Sequence, residues 1–282
     1  MFLQFLAEKF CCKIRKLYIC RKYLEQNNKM AKKIAILNFK GGVGKTTTAI
    51  NLCDALRILK KKVLLIDLDC QCDTTFALTE DKLEDDQTIY SAFVSKKPTL
   101  LPIYEYKNGF DYVPSSPELE EINEVIATRM RKEEILKRLI MPFDQMYDYI
   151  FYDCPPNGGI LNVNAMAACD EIIIPIDCEF FALKGMAKIQ SKYEETKEII
   201  NPDLSICGYL LTRYDSRLRE HKACYRAIRE VYGDKVFNAK IRKNTDLTKT
   251  PKMHQTIFDY NPNAAGAEDY MQLAREITKR QK

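Results

Sequence analysis

From residue 33 onward, short apolar runs alternate with stretches whose apolar positions recur at helical spacing. Ile34 to Leu37, Val63 to Ile66, Phe110 to Val113, Tyr149 to Tyr152, Ile172 to Ile176 and Ile206 to Leu211 are mainly apolar or aromatic and end at polar or turn-forming residues. Runs this short and continuous predict strands buried on both faces, as in a parallel sheet. Helices are predicted over Thr46 to Leu59, over Thr88 to Val94 and in a stretch running through Met166. The same spacing links Leu119, Ile122, Val125 and Ile126, then Ile135, Leu136 and Leu139, and finally Ala267, Tyr270, Leu273, Ala274 and Ile277. Alternating strand and helix implies an α/β fold, a mostly parallel twisted sheet with helices on both faces, forming a single domain over residues 31–282. A chain of 282 residues is long enough to bury one such core.

Composition adjusts this picture in three places. No apolar run approaches the ~20 residues of a membrane span, so a soluble, cytoplasmic chain is expected. The eleven cysteines are scattered through apolar patterns, which predicts reduced and mostly buried thiols. Cys70 and Cys72 form C-x-C, but no second pair or histidine cluster lies at zinc spacing, so no metal site is expected there.

The net charge of +5 is unevenly placed. Residues 1–30 carry 7 Lys and Arg against 2 Asp and Glu, residues 31–212 carry 21 against 28, and residues 213–252 carry 12 against 5. In the first segment Phe2, Leu3, Phe5, Leu6, Phe10 and Ile14 stand among Lys9, Lys13, Arg15 and Lys16. It reads as a basic amphipathic helix for an anionic membrane, a helix docked on the body, a disordered arm, or residues ahead of a true start at Met30. The patterned region begins directly after Met30, which favours the last three readings, and a membrane is not expected as a partner.

The candidate chemistry centres on Asn38-Phe39-Lys40-Gly41-Gly42-Val43-Gly44-Lys45-Thr46-Thr47, between the first strand and the first helix. A glycine loop there lets successive N–H groups point at one anion, and the helix N-terminus adds positive potential. Lys45 supplies a full charge to β- and γ-phosphates, and Thr46 places a hydroxyl for Mg²⁺. The common pattern G-x-x-x-x-G-K-[ST] wants glycine where this chain has Phe39. Lys40 instead introduces a second lysine, giving K-G-G-V-G-K-T-T. This resembles the deviant phosphate loop of the ParA/MinD superfamily of ATPases, and the resemblance extends over residues 32–278. It implies a P-loop NTPase fold, ATP and Mg²⁺ as cofactors, and nucleotide contacts from Lys40 through Thr47. It also implies a homodimer in the ATP state, with Lys40 reaching the partner's nucleotide.

Two aspartate motifs fit the same site. The second strand ends in Asp67-Leu68-Asp69 and a later one in Asp153-Cys154-Pro155-Pro156. Carboxylates at the C-terminal ends of parallel strands face the ligand edge of an open sheet. By the resemblance Asp69 is the catalytic carboxylate that positions water, Lys40 and Lys45 stabilise developing charge, and Thr46, Asp67 and Asp153 form the metal side. Cys70, Cys72 and Asp73 depart from the Pro, Gly and Asn that similar proteins carry after the second aspartate.

The basic stretch from Arg213 can neutralise several phosphates at once, which predicts salt-sensitive, nonspecific binding of double-stranded DNA. The resemblance points to Arg217 in Tyr214-Asp215-Ser216-Arg217, with Arg219 and Lys222 beside it. The family's I-P-R-N-x-R-L here reads Ile241-Arg242-Lys243-Asn244-Thr245-Asp246-Leu247. Asp246 stands in place of an arginine, Arg242 and Lys243 are expected to offset that loss, and Asn244 keeps the residue that faces adenine. The implied function is a ParA-like, nucleoid-associated ATPase for plasmid or chromosome partitioning, weak alone and stimulated by a ParB-like centromere-binding partner. A MinD-like membrane-associated positioning ATPase and a reductase resembling the nitrogenase iron protein are the alternatives. The final helical segment reads as a packed core helix, which argues against the first of these.

Overall fold

In the computed structural model, which describes residues 30–107, 109–178 and 182–280, every strand expected from the apolar runs is present. In chain order the elements begin with β1 (Lys32–Ile36), α1 (Lys45–Ile58), β2 (Val63–Asp67), α2 (Asp73–Leu78) and α3 (Ile89–Val94). They continue with β3 (Tyr104–Tyr106), β4 (Phe110–Val113), α4 (Ile122–Val125), α5 (Ile135–Ile140), β5 (Tyr149–Asp153) and α6 (Ile160–Ala168). Then come β6 (Glu171–Asp177), α7 (Ala182–Ile199), β7 (Ser205–Tyr214), α8 (Arg219–Tyr232) and β8 (Val236–Arg242). The short helices α9 (Asp246–Lys249) and α10 (Ile257–Tyr260) lead to α11 (Ala265–Arg280).

The strands form one sheet in the order β3-β4-β2-β5-β1-β6-β7-β8, with β3 antiparallel to β4 and the other pairings parallel. Side chains alternate across it, as a period of two demands. Ala35, Leu64, Ile66, Ile150 and Tyr152 pack into one layer, and Ile34, Ile36, Val63, Leu65 and Phe151 into the other. Phe93, Leu136 and Met166 from α3, α5 and α6 complete the first layer, while Leu52 and Leu56 of α1 meet Tyr270, Leu273 and Ile277 of α11 in the second. Each such side chain, fully buried, contributes about 1.5–3 kcal/mol. The packed C-terminal helix is thus the one the sequence predicts, and Tyr270 Oη lies 3.3 Å from the Thr48 hydroxyl of α1.

Two stretches differ from expectation. Residues 117–126 do not form one helix. Ser116 caps a 3₁₀ turn over Pro117–Glu121, and α4 follows as a single turn. Leu119, Ile122 and Ile126 are buried nonetheless, while Val125 of the same expected set is exposed. β8 lies inside the basic stretch, an edge strand that buries Val236, Phe237, Ala239 and Ile241 and exposes Asn238 and Arg242. The basic N-terminal segment lies outside the described residues as far as residue 29. Among the described residues no helix is long and apolar enough to cross a membrane.

Candidate functional site

β1 ends mid-sheet between β5 and β6, and the chain leaves it at the C-terminal edge. Buried Asn38 fixes the exit, its Nδ2 donating to the Pro175 carbonyl of β6 at 2.7 Å and its Oδ1 accepting the Lys40 N–H at 2.9 Å. Gly42 and Gly44 take φ of +71° and +85°, the left-handed region where a side chain costs about 1–2 kcal/mol, so the loop turns tightly into α1. Val43 is buried, and its carbonyl accepts the Thr212 hydroxyl at 2.9 Å, which ties the loop to β7. Lys45, the first residue of α1, is buried with its Nζ 3.4 Å from the Lys40 carbonyl. Lys40, Gly41 and Gly42 face solvent, and Thr46 and Thr47 are half-buried.

The two aspartates of the neighbouring strands meet beside this loop, since β2 and β5 pair with Asp67 opposite Asp153. Asp153 Oδ2 accepts the hydroxyls of Thr46 and Thr74, each at 2.7 Å. Asp67 accepts the Thr75 hydroxyl at 2.7 Å, the Thr75 N–H at 2.9 Å and the Asp69 N–H at 3.1 Å. Burial raises both carboxyls above their usual range, Asp153 to about 6, and the charge of Asp153 raises Asp67 further. Asp153 Oδ1 is buried with no hydrogen-bond partner, a condition that costs about 1–3 kcal/mol. An unsatisfied carboxylate oxygen beside the Thr46 hydroxyl suits a hard divalent cation such as Mg²⁺, which prefers oxygen ligands. Thr46 and Asp153 thus offer oxygens to such a cation, while Asp67, engaged by Thr75 and Asp69, lies behind them.

Burial of Asp153 sets a sign for stability. Its folded pKa is raised, so the stability it leaves intact below the unfolded value is lost as pH rises from about 4 through about 6. At pH 7.5 Asp153→Asn is expected to make the ligand-free protein about 1–3 kcal/mol more stable while removing Mg²⁺-dependent turnover. Calorimetry at pH 4.5 and 7.5 checks this, and a variant less stable than wild type at the higher pH contradicts it.

Asp69 is buried just past β2, and its loop is pinned through the backbone. Its carbonyl accepts the Ser115 hydroxyl at 2.7 Å and the Cys72 N–H at 2.9 Å, while its Oδ1 accepts the Gln71 N–H at 3.1 Å. Cys72, where similar proteins have glycine, keeps the left-handed conformation with φ +56°. The turn is preserved at a strain of about 1–2 kcal/mol. The Cys72 thiol is pushed up to about 12 by burial and then by the charge of Asp67, so it stays protonated. Thr74, Thr75, Ser115, Thr212 and Asn38 are the supporting residues that sequence reasoning does not single out. The signal for the first two is their place at the start of α2, five and six residues after the second aspartate.

The remaining residues are spread along the β8 side. Asn244 follows β8, with β6 and β7 between that strand and β1, and its Oδ1 accepts the Asp246 N–H at 2.8 Å to open α9. Asp246 accepts Asn261 Nδ2 at 3.0 Å, a local tie within the fold. Arg217 is exposed and grips Asp215 with two bonds of 3.0 and 2.7 Å. Its guanidinium holds the Asp215 carboxyl well below the usual carboxylate range. Arg219 and Lys222 stand exposed on the first turn of α8, and Lys243 is exposed past β8. Arg242 is instead engaged with Asp269 at 2.7 Å and Glu268 at 2.6 Å, strapping β8 to α11. Its charge is balanced within the fold, which leaves Lys243 as the nearer substitute for the arginine that Asp246 replaces.

Comparison with known proteins gives the family. A family model described as "AAA domain" matches residues 31–206. The chain is also 35% identical over 249 residues to the sporulation initiation inhibitor protein Soj of Bacillus subtilis, spanning 88% of this chain and 98% of Soj. The chain belongs to the ParA/MinD family of P-loop ATPases. Solved nucleotide-bound structures of this fold agree. Cobyrinic acid a,c-diamide synthase from Mycobacterium smegmatis, with bound ATP analog and magnesium, superposes with a TM-score of 0.79 at 27% identity, covering 89% of this chain and 96% of that one. A putative plasmid partition protein from Borrelia burgdorferi bound to AMPPNP gives 0.77 at 25% identity, covering 89% and 100%. A synthase and a partition protein on one ParA/MinD-like scaffold show that the fold alone does not set the task.

Proposed function

We propose that this chain is a ParA-like partitioning ATPase. ATP and Mg²⁺ bound at residues 40–47 close a homodimer that holds double-stranded DNA nonspecifically, and a ParB-like partner releases it by stimulating hydrolysis. The observation that carries this reading is the set of buried Lys45, Asp67 and Asp153 with half-buried Thr46 beneath a loop whose exposed side presents a second lysine, Lys40. Its relatives support it, Soj and the Borrelia partition protein among them.

The N–H groups of Gly41 through Thr47 and the N-terminus of α1 receive phosphate oxygens, and Lys45 neutralises them. Thr46 and Asp153, with Asp67 behind, would hold Mg²⁺, which would supply charge neutralisation at the β- and γ-phosphates. Asp69 holds the attacking water, and Lys40 and Lys45 stabilise charge on the transferred group. Lys40 acts on the partner subunit's nucleotide, so ATP joins the two halves. Asn244 stands at the adenine end. Residues 31–282 constitute this ATPase domain and residues 1–30 an extension to it. The setting is the cytoplasm, on the nucleoid. The burial of α11 opposes the MinD-like alternative, because its apolar face is occupied by α1 and the sheet.

DNA contacts are assigned to Arg217, Arg219, Lys222 and Lys243, with Arg242 supporting the surface through its grip on α11. On DNA, Arg217 exchanges Asp215 for a backbone phosphate. Arg217→Glu is expected to weaken binding about tenfold and to lower the salt slope of a dimer by about 2. Gel shifts at several salt concentrations check this, and an unchanged affinity removes the contact. Filter retention of random-sequence duplex with ATP or ADP, each with Mg²⁺, tests the function itself. Retention confined to ATP is expected, and equal retention in both states contradicts the proposal.

A further inference from the structure

Between Asp153 and α6 the chain runs beside the phosphate loop, over residues 154–159. The sheet fixes its start, since the Asp153 carbonyl accepts the Leu68 N–H at 3.0 Å and the Cys154 N–H donates to the Ile36 carbonyl at 3.3 Å. Pro155 and Pro156 then carry no N–H with which to bond the rest of the fold. Residues 156–159 are exposed. They are gripped from inside by Asn162 of α6, which is fully buried. Its Nδ2 donates to the Pro155 carbonyl at 3.1 Å and to the Asn157 carbonyl, and lies 3.4 Å from Asn157 Oδ1. Asn157 Oδ1 in turn accepts the Gly159 N–H at 2.9 Å.

The outer side of this segment meets the residue that departs from the common phosphate-loop pattern. Phe39, Pro156, Asn157 and Gly158 line one cleft with Lys188 and Lys192 of α7. The Phe39 ring lies 3.9 Å from the point where a side chain on Gly158 would begin. Lys40 directly follows Phe39. The wall that Asn162 holds therefore supports the ring beside the lysine.

Asn162 does this at a cost, because its Oδ1 is buried with no hydrogen-bond partner. An apolar side chain would avoid that penalty. A buried amide with one end unsatisfied and the other on two loop carbonyls is poorly explained by stability alone. We propose that Asn162 is a positioning residue for ATP hydrolysis, holding residues 155–159 against Phe39 and so setting Lys40 for the transferred phosphoryl group. The inference rests on the ATPase reading above and adds to it a residue that touches neither nucleotide nor metal.

The test compares the full chain with Asn162→Leu, which keeps a branched side chain and removes the donor. In the ligand-free protein, amide exchange across residues 157–160 should speed up about tenfold or more while β1 and β5 keep wild-type rates. The Tm should stay within about 5 °C of wild type, because the exposed part of the segment can turn to water. With ATP and Mg²⁺, kcat should fall about 10–100-fold and KM should change by no more than about threefold. Asn162→Ser, smaller and with one donor, should lie between the two. Unchanged exchange overturns the proposal, as does faster exchange with wild-type kcat or a loss confined to KM. Failure of both variants to fold also overturns it, since Asn162 then serves the fold rather than the loop. A wild type without turnover overturns the ATPase reading and this inference with it, whereas variants that match an active wild type overturn this inference alone.

Discussion

Lys45→Ala is expected to lower ATP affinity by about 100-fold or more while leaving the fold in place. Lys45 is 6% exposed at the first position of α1, and alanine is the best residue for a helix. Its Nζ makes a long bond of 3.4 Å to the Lys40 carbonyl, so the ligand-free protein loses little. The nucleotide loses a buried full charge on its phosphates, where hydrogen bonds to charged groups are worth about 1.5–3 kcal/mol each. Titration calorimetry with ATP and Mg²⁺ measures the difference. Wild-type affinity in a folded variant removes the site assignment.

Asp69→Ala is expected to keep ATP binding and to cut hydrolysis by about 10²–10⁴-fold, the range for losing a positioned acid–base group. The loop around Asp69 survives the change because its ties from Ser115 and Cys72 go to the Asp69 carbonyl. Truncation removes the carboxylate and its bond to the Gln71 N–H. A chain that binds ATP without spending it should stay on DNA long after wild type has left. Single-turnover hydrolysis and DNA dwell time read the two halves of this, and an unchanged hydrolysis rate ends the catalytic role of Asp69.

The strands and the phosphate loop are legible in the sequence because each depends on neighbours in the chain. Ile34 to Leu37 announces β1, and the glycines after it mark a turn that only left-handed residues complete. Less legible is what depends on register between distant strands. The hydroxyl of Thr74 matters because Asp153 lies beside Asp67 across the sheet, a pairing of residues far apart in sequence. Thr212 clamps Val43 from a strand that follows much later. β8 is masked by its lysine and arginine, which suggest surface before they suggest strand. Arg242 belongs to the basic stretch by sequence and to Asp269 by structure, because its carboxylate partner arrives on the last helix. Cys72 is the reverse case. Its residue type departs from the family pattern, yet its backbone keeps the left-handed turn.

The proposed function requires Lys40 to turn ATP into the link between two subunits. Sedimentation velocity of wild type and Lys40→Ala, each with a non-hydrolysable ATP analogue or with ADP, tests this most directly. Wild type should sediment as a dimer with the analogue and as a monomer with ADP. Lys40→Ala should stay monomeric in both while still binding nucleotide. A wild type that remains monomeric with the analogue, or a Lys40→Ala chain that dimerises as wild type does, contradicts the account.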